Sequence, residues 1–239
     1  MADNMISAAL SRQKGLMKEL TSLANNIANA DTAGYRGEGV LFSEYVKALE
    51  GSDSLSMTRA HARTIDLTQG DIITTNGTFD LAISGEGFFL VETPEGSRLT
   101  RAGAFTTNEL GELVDGEGRR VLNNGEGPIA IPEGVSSVSV NSEGDVVADG
   151  QNLARLAVVN PDELGLVREG LNLFRAENGY TPSQDFKVLQ GAVEGSNVDS
   201  MTEFVRLIEV QRMYEGTKGF LDKEAERLQG FVDTVRRTE

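Results

Sequence analysis

The chain has 239 residues, no cysteine, no tryptophan, one histidine and a formal net charge of −15. It is long enough to bury a sizeable core, but it can make no disulfide, thiolate zinc site or cysteine nucleophile. The acidic balance argues against nucleic acid and anionic membrane surfaces, both of which are bound through Lys and Arg.

That charge is unevenly placed. Residues 1–30 carry +1 and residues 200–239 carry −1, so the middle holds the whole excess, with 12 basic against 27 acidic residues. Near-neutral ends suit helices that will be packed, and an acidic body suits solubility. No apolar run approaches the ~18 residues that mark a membrane span. The opening MADNMISAALSRQKGLMKEL lacks the basic-then-apolar layout of a cleaved signal, so Sec export is not expected.

In chain order, the first element is a helix expected from Asn4 to Asn29, capped by Asp3. Ile6, Leu10, Gln13, Met17, Leu20, Ala24 and Ile27 step by 4 and 3 along it, the period of a coiled-coil seam. Leu16 and Leu23 lie off that seam. The helix should stop in NNIANADTAGYR, where Asn, Asp and Thr compete for backbone hydrogen bonds and Gly34 accepts left-handed geometry.

Residues 31–75 read as a connector. Leu41–Leu49 suits a short helix or an extended stretch, Gly51–Met57 is a loop by composition, and Thr64–Thr68 and Asp71–Thr75 alternate as strands do. From 76 to 190 the pattern is a β-rich body of short strands, with NGT, SGEG, PEG, DGEG, NNGEG and SEGD as turn formers between them. Spacing of roughly eight to twelve residues indicates an antiparallel sheet, sandwich or partly closed barrel. Gly170–Phe174 is expected at an edge. Residues 191–200 form a return linker, with Ser200 and Glu203 spaced as a capping box.

The last helix is expected from about Met201 to Arg236, roughly 54 Å at ~1.5 Å per residue. Leu207, Val210, Tyr214, Thr217, Leu221, Glu224, Leu228, Phe231 and Val235 form its seam, with Met201, Val205 and Ile208 off it. Gly216 and Gly219 lie inside and each costs ~1 kcal/mol relative to Ala, which puts the continuity of this helix in question. Two apolar faces per helix suggest more than one neighbour, and repeated heterologous contacts build open helical assemblies. A hairpin in which the two ends close on each other is the simpler alternative.

Catalytic readings fail on inventory. His61 sits in a polar stretch, and Ser84 lacks the glycine two residues earlier that a nucleophile elbow needs. GEGFFL (85–90) has Leu90 where a dinucleotide fingerprint has its third glycine, so it reads as a hairpin turn. Asp115–Gly118 and Asn141–Asp145 resemble calcium loops in composition but lack the 12-residue spacing, so they read as turns.

Three ordered segments resemble one family. NNIANADTAGYR (25–36), FDLAISGEGFFLVETPEGSRLTRAGAFTTNELGELVDGEGRRVL (79–122) and SNVDSMTEFVRLIEVQRMYEG (196–216) look like signatures of the bacterial flagellar axial proteins of rod and hook. The rod proteins are the most similar, and the short length with the opening DNMISAAL favours the proximal-rod type over distal-rod or hook subunits. The resemblance implies an α+β fold with long N- and C-terminal helices forming a coiled-coil-like, tube-lining layer, and a β-rich central domain. It implies a structural subunit of the periplasmic drive shaft, with no cofactor or metal. Its partners would be copies of itself, other rod proteins and the flagellar export machinery.

On that reading the assembly interface comprises Ile6, Leu10, Met17, Leu20, Ile27, Asn29, Tyr35, Leu207, Val210, Gln211, Arg212, Tyr214, Leu221, Leu228, Phe231 and Val235. A secreted oligomeric binding module, with helices that dimerise and a body that holds a ligand, is the alternative from another class.

Overall fold

A computed structural model describes residues 2–49 and 52–237, with side chains described for 6–41, 64–230 and 236. The chain forms two units. One gathers the two ends of the chain with residues 37–66; the other gathers residues 29–36 with 67–198.

The helical unit contains α1 (Ala2–Ala28), β1 (Glu38–Leu49), β2 (Ser52–Ile65) and α2 (Ser200–Arg237). Asp3 therefore lies in the first turn of α1 rather than at its cap. The helices run antiparallel: Asn26 bonds Glu203, Glu19 pairs with Arg206 at 2.8 Å, and Ala8 and Ala9 share a groove with Thr217 and Phe220. Their interface is a small cluster of Leu16, Leu23 and Val210, flanked by Leu20, Leu207, Met213 and Tyr214.

The stretch 41–49 is extended, not helical, and Ser52–Met57 is strand rather than loop. β1 and β2 pair antiparallel from Glu38↔Ile65 to Leu49↔Ser52, with His61 as the extra residue where the register shifts. Polar residues such as Ser52, Ser54 and Ser56 read as loop in isolation, yet a partner strand is enough to satisfy their backbone. The hairpin is pinned to α1 through Glu38. Asn26 donates to the Glu38 carbonyl and accepts from its amide, both at 2.9 Å, and Ser22 donates to the same carbonyl at 2.8 Å. A buried asparagine amide here does the work of a neighbouring strand.

The continuity that Gly216 and Gly219 put in question is kept: α2 runs unbroken over 38 residues, and a Cβ at either glycine would meet nothing within 4 Å. Its N-cap is Asp199, not Ser200. The Asp199 carboxylate accepts from the Met201 amide at 3.2 Å and from the Thr202 hydroxyl, while Glu203 turns to Asn26 instead of closing a capping box.

The β unit holds fifteen short strands: β3 (Ile72–Thr74), β4 (Leu81–Gly85), β5 (Phe88–Thr93), β6 (Gly96–Thr100), β7 (Thr106–Thr107), β8 (Leu113–Val114), β9 (Val138–Val140), β10 (Asp145–Ala148), β11 (Gln151–Arg155), β12 (Val158–Pro161), β13 (Leu166–Arg168), β14 (Leu173–Ala176), β15 (Tyr180–Pro182), β16 (Phe186–Gln190) and β17 (Ala192–Glu194). A six-stranded antiparallel sheet has the order β13-β14-β6-β5-β12-β15, and smaller sheets pair β16 with β4 and β17 with β3. Together they curl as a half-barrel.

β14, expected at an edge, lies between β13 and β6. Ser84–Gly87 is not a hairpin turn either: β4 pairs with β16 and β5 with β6 and β12, so these residues turn a corner between sheets. The apolar run Phe88–Val91 is buried on both faces, as its lack of alternation requires. Phe89 and Val91 enter the core with Leu81, Ile83, Leu113, Ile129 and Leu156, and Phe105 meets Phe89 edge-on at 5.2 Å. Phe88 faces the other way, onto Phe174 at 5.5 Å.

The two acidic turns are Asx turns. Asp115 accepts from the Glu117 and Arg119 amides, and Asn141 from those of Glu143 and Asp145.

Candidate assembly surface

The seams read from spacing divide between the two helices in opposite ways. On α2 the seam faces α1: Val210 is buried, and Leu207, Tyr214, Thr217 and Leu221 are half-buried. On α1 the seam faces largely away. Leu10 is 44% and Met17 54% exposed, Ile6, Leu20 and Ile27 are half-buried, and the off-seam residues Leu16 and Leu23 make the contact with α2.

A second apolar stripe lies on the opposite side of α2's first turns. Met201, Phe204, Val205 and Ile208 follow i, i+3, i+4, i+7 spacing and are 73%, 54%, 55% and 41% exposed. Leu228 is also exposed. Gln211 and Arg212 are exposed, with Gln211 bonded along the helix to Glu215 at 3.1 Å. Phe231 and Val235 fall outside the residues whose side chains are described.

Between the helices runs a groove of about 470 Å³, lined by Ala8, Ala9, Arg12, Met213, Gly216, Thr217 and Phe220. Small residues on both walls create it, and Gly216, which weakens the helix, leaves room in its floor.

Asn29 and Tyr35 sit in the β unit and are buried, Tyr35 to 2% exposure. Tyr35 stacks on the Arg168 guanidinium at 4.7 Å, and the same guanidinium lies 4.9 Å from the Phe174 ring. Tyr35 therefore presents no surface to another subunit; it is part of how the segment after α1 is held. Arg36, Arg101 and Glu194 are also buried, and nothing in the spacing of the sequence marks them as a cluster. Among the described residues no group of three or more His, Cys, Asp or Glu could hold a metal ion.

Three family models match the chain in order: the flagella basal body rod protein model at residues 6–36, the flagellar hook protein FlgE/F/G D1 domain at 82–148, and the flagellar basal body rod FlgEFG protein C-terminal model at 189–217. The flagellar basal-body rod protein FlgF of Caulobacter vibrioides is 37% identical over 98% of both chains. The chain belongs to the flagellar basal-body rod protein family. FlgF of Mesorhizobium japonicum is 33% identical over 95% of both chains, and FlgG of Bacillus subtilis 31% over 96% of this chain and 98% of its own length. The family resemblance read from the three signatures therefore holds, as does the placing with the proximal-rod type.

As a member of that family the chain is a structural axial subunit of the rod, in the periplasmic part of the flagellum, and self-assembles with related axial proteins. No described helix is long and apolar enough to cross a membrane.

Proposed function

We propose that this rod subunit assembles through both terminal helices, each used on two faces. One face of each closes the α1–α2 pair. The other, Leu10 and Met17 on α1 and Met201, Phe204, Val205 and Ile208 on α2, is covered by helices of neighbouring axial subunits. Copies joined in this way line the tube of the rod and pass torque along it. The observation that carries the reading is the bare stripe at 201–208, on a helix whose other face is already occupied.

Fully burying four such side chains is worth roughly 6–12 kcal/mol gross, before the cost of association. Contacts of this kind are heterologous, and they stack without closing. Delivery by the flagellar export machinery completes the proposal.

The test is Ile208→Asp. The side chain is exposed, so the isolated subunit should fold with an unchanged melting midpoint, while the variant should be missing from purified basal bodies and its strain non-motile. Normal incorporation would sink the two-face reading.

A further inference from the structure

The chain passes between its two units four times, after Ala28, Arg36, Asp66 and Val198. On the β-unit side these passages belong to three segments: 29–36, the stretch beginning at Leu67, and the stretch ending at Val198. All three meet at one side chain.

Glu194, at the end of β17, is fully buried. Its Oε1 accepts from the Arg36 guanidinium at 2.6 Å and from the Gly70 amide at 3.0 Å, and its Oε2 accepts from Arg101 at 2.9 Å. Its main-chain carbonyl accepts from the Gly34 amide at 2.8 Å. Around this node each segment is bonded to both others. Arg36 and the Asn197 side chain both donate to the Thr68 carbonyl, the Asn197 amide donates to the Tyr35 carbonyl at 3.3 Å, and the Gly195 amide to that of Asp71 at 2.8 Å.

Arg101 ties the node to the sheet, donating to the carbonyls of Ile83 and Gly85 and lying 5.2 Å from the Phe88 ring. Arg168, packed against Tyr35 and Phe174, donates to the Arg36 carbonyl. Burial lowers the Arg101 pKa, while Glu194 first and then Glu86 oppose the shift, which fits a cation held in the interior chiefly by the Glu194 carboxylate.

We propose that Glu194 is a junction residue that holds these three segments of the β unit as a single body, a role that does not depend on the rod-subunit reading. The chemistry suits the role. An ionised carboxylate offers about four acceptor sites and no donor, so one side chain can take bonds from several elements. A buried ion cluster adds little net stability over apolar packing, but its bonds are directional. Loss of the carboxylate leaves buried guanidinium groups uncompensated, so the segments should come apart together rather than one by one.

Hydrogen exchange on the isolated full-length subunit tests this without any rod. In Glu194→Gln, peptides covering 29–36, 67–75 and 191–198 should all exchange on the order of 10²-fold faster, with β5, β6 and β14 as protected as in the parent. Acceleration confined to 191–198 would overturn the proposal, and so would equal acceleration across the whole β unit. If Glu194→Gln does not fold, Asn197→Ala decides. Loosening that spreads to 29–36 supports one body; loosening restricted to 67–70 and 196–198 refutes it. The Ile208→Asp result bears on the rod reading alone, so the two failures are separable.

Discussion

The β unit closes over its own core, whereas the start of α2 in the helical unit holds an apolar stripe in solvent. In the first, thirteen buried apolar side chains form one cluster, and β5 is covered on both faces. In the second, among the described residues, only Leu16, Leu23 and Val210 form the buried cluster, and the longest helix of the chain leaves four large apolar side chains in solvent at its start. One region has a core of its own; on the proposed assembly, the other supplies half of an interface. On that proposal a rod subunit uses both, a body with its own core and ends whose apolar stripe neighbours cover.

The contrast is broken most forcefully at Gly34. This residue has φ +68°, and an added Cβ would lie 2.2 Å from the Ala102 nitrogen and 2.4 Å from the Arg101 carbonyl carbon. Those are backbone atoms with no room to give. Gly34→Ala should cost the β unit about 3–5 kcal/mol, in the range of backbone strain combined with a steric clash. Urea unfolding followed by exchange of β-unit peptides measures it. A loss below about 1 kcal/mol would mean that the segment after α1 is a loose strap, and that the β unit is complete without it.

Much of this division is legible in the residues themselves, and the rest is lost for identifiable reasons. The helices announce themselves by spacing, and the run Phe88–Val91 by its lack of alternation, because both signals are local. The facing of the helices is not local. Met17 and Leu16 are adjacent in sequence, and only the choice of partner decides which turns inward. The β1–β2 hairpin is hidden because serines at 52, 54 and 56 carry no strand signal and depend on residues across the ladder. Most obscure of all is the cluster of Arg36, Arg101 and Glu194. Its members are far apart in sequence, and a buried charge has the same letter as a solvated one. A weak pointer existed: Arg36 ends the first family signature, and Glu194 stands just before the last.

A smaller effect sharpens the comparison from the helical side. At Gly219 an added Cβ meets nothing within 4 Å, so Gly219→Ala removes only backbone entropy. The variant should stabilise α2 by about 1 kcal/mol, seen as slower amide exchange between residues 213 and 225, with the β-unit unfolding midpoint unmoved. If that midpoint rises as well, the two units unfold as one and the contrast between them is thermodynamically empty.

The smallest expected effect is at the start of α2. The Asp199 carboxyl is held below the usual carboxylate range by hydrogen bonds from the Thr202 hydroxyl and the Met201 amide. The folded chain therefore prefers the charged form more than the unfolded chain does. The contribution of this cap is full above the unfolded-state value and is lost as pH falls through the lower, folded-state one. Amide exchange at 200–204, corrected for its intrinsic pH dependence, should show the first turn fraying below about pH 4, the ordinary aspartate range. Asp199→Asn keeps an acceptor oxygen at the cap but does not titrate, so its first turn should hold steady across that range. The β-unit peptides serve as the internal control, since a local cap cannot reach them. Should they loosen over the same pH interval in the parent but not in Asp199→Asn, acid would be acting on the β unit through the helix start. Residues 199 and 198 would then mark no boundary in the energetics of the chain.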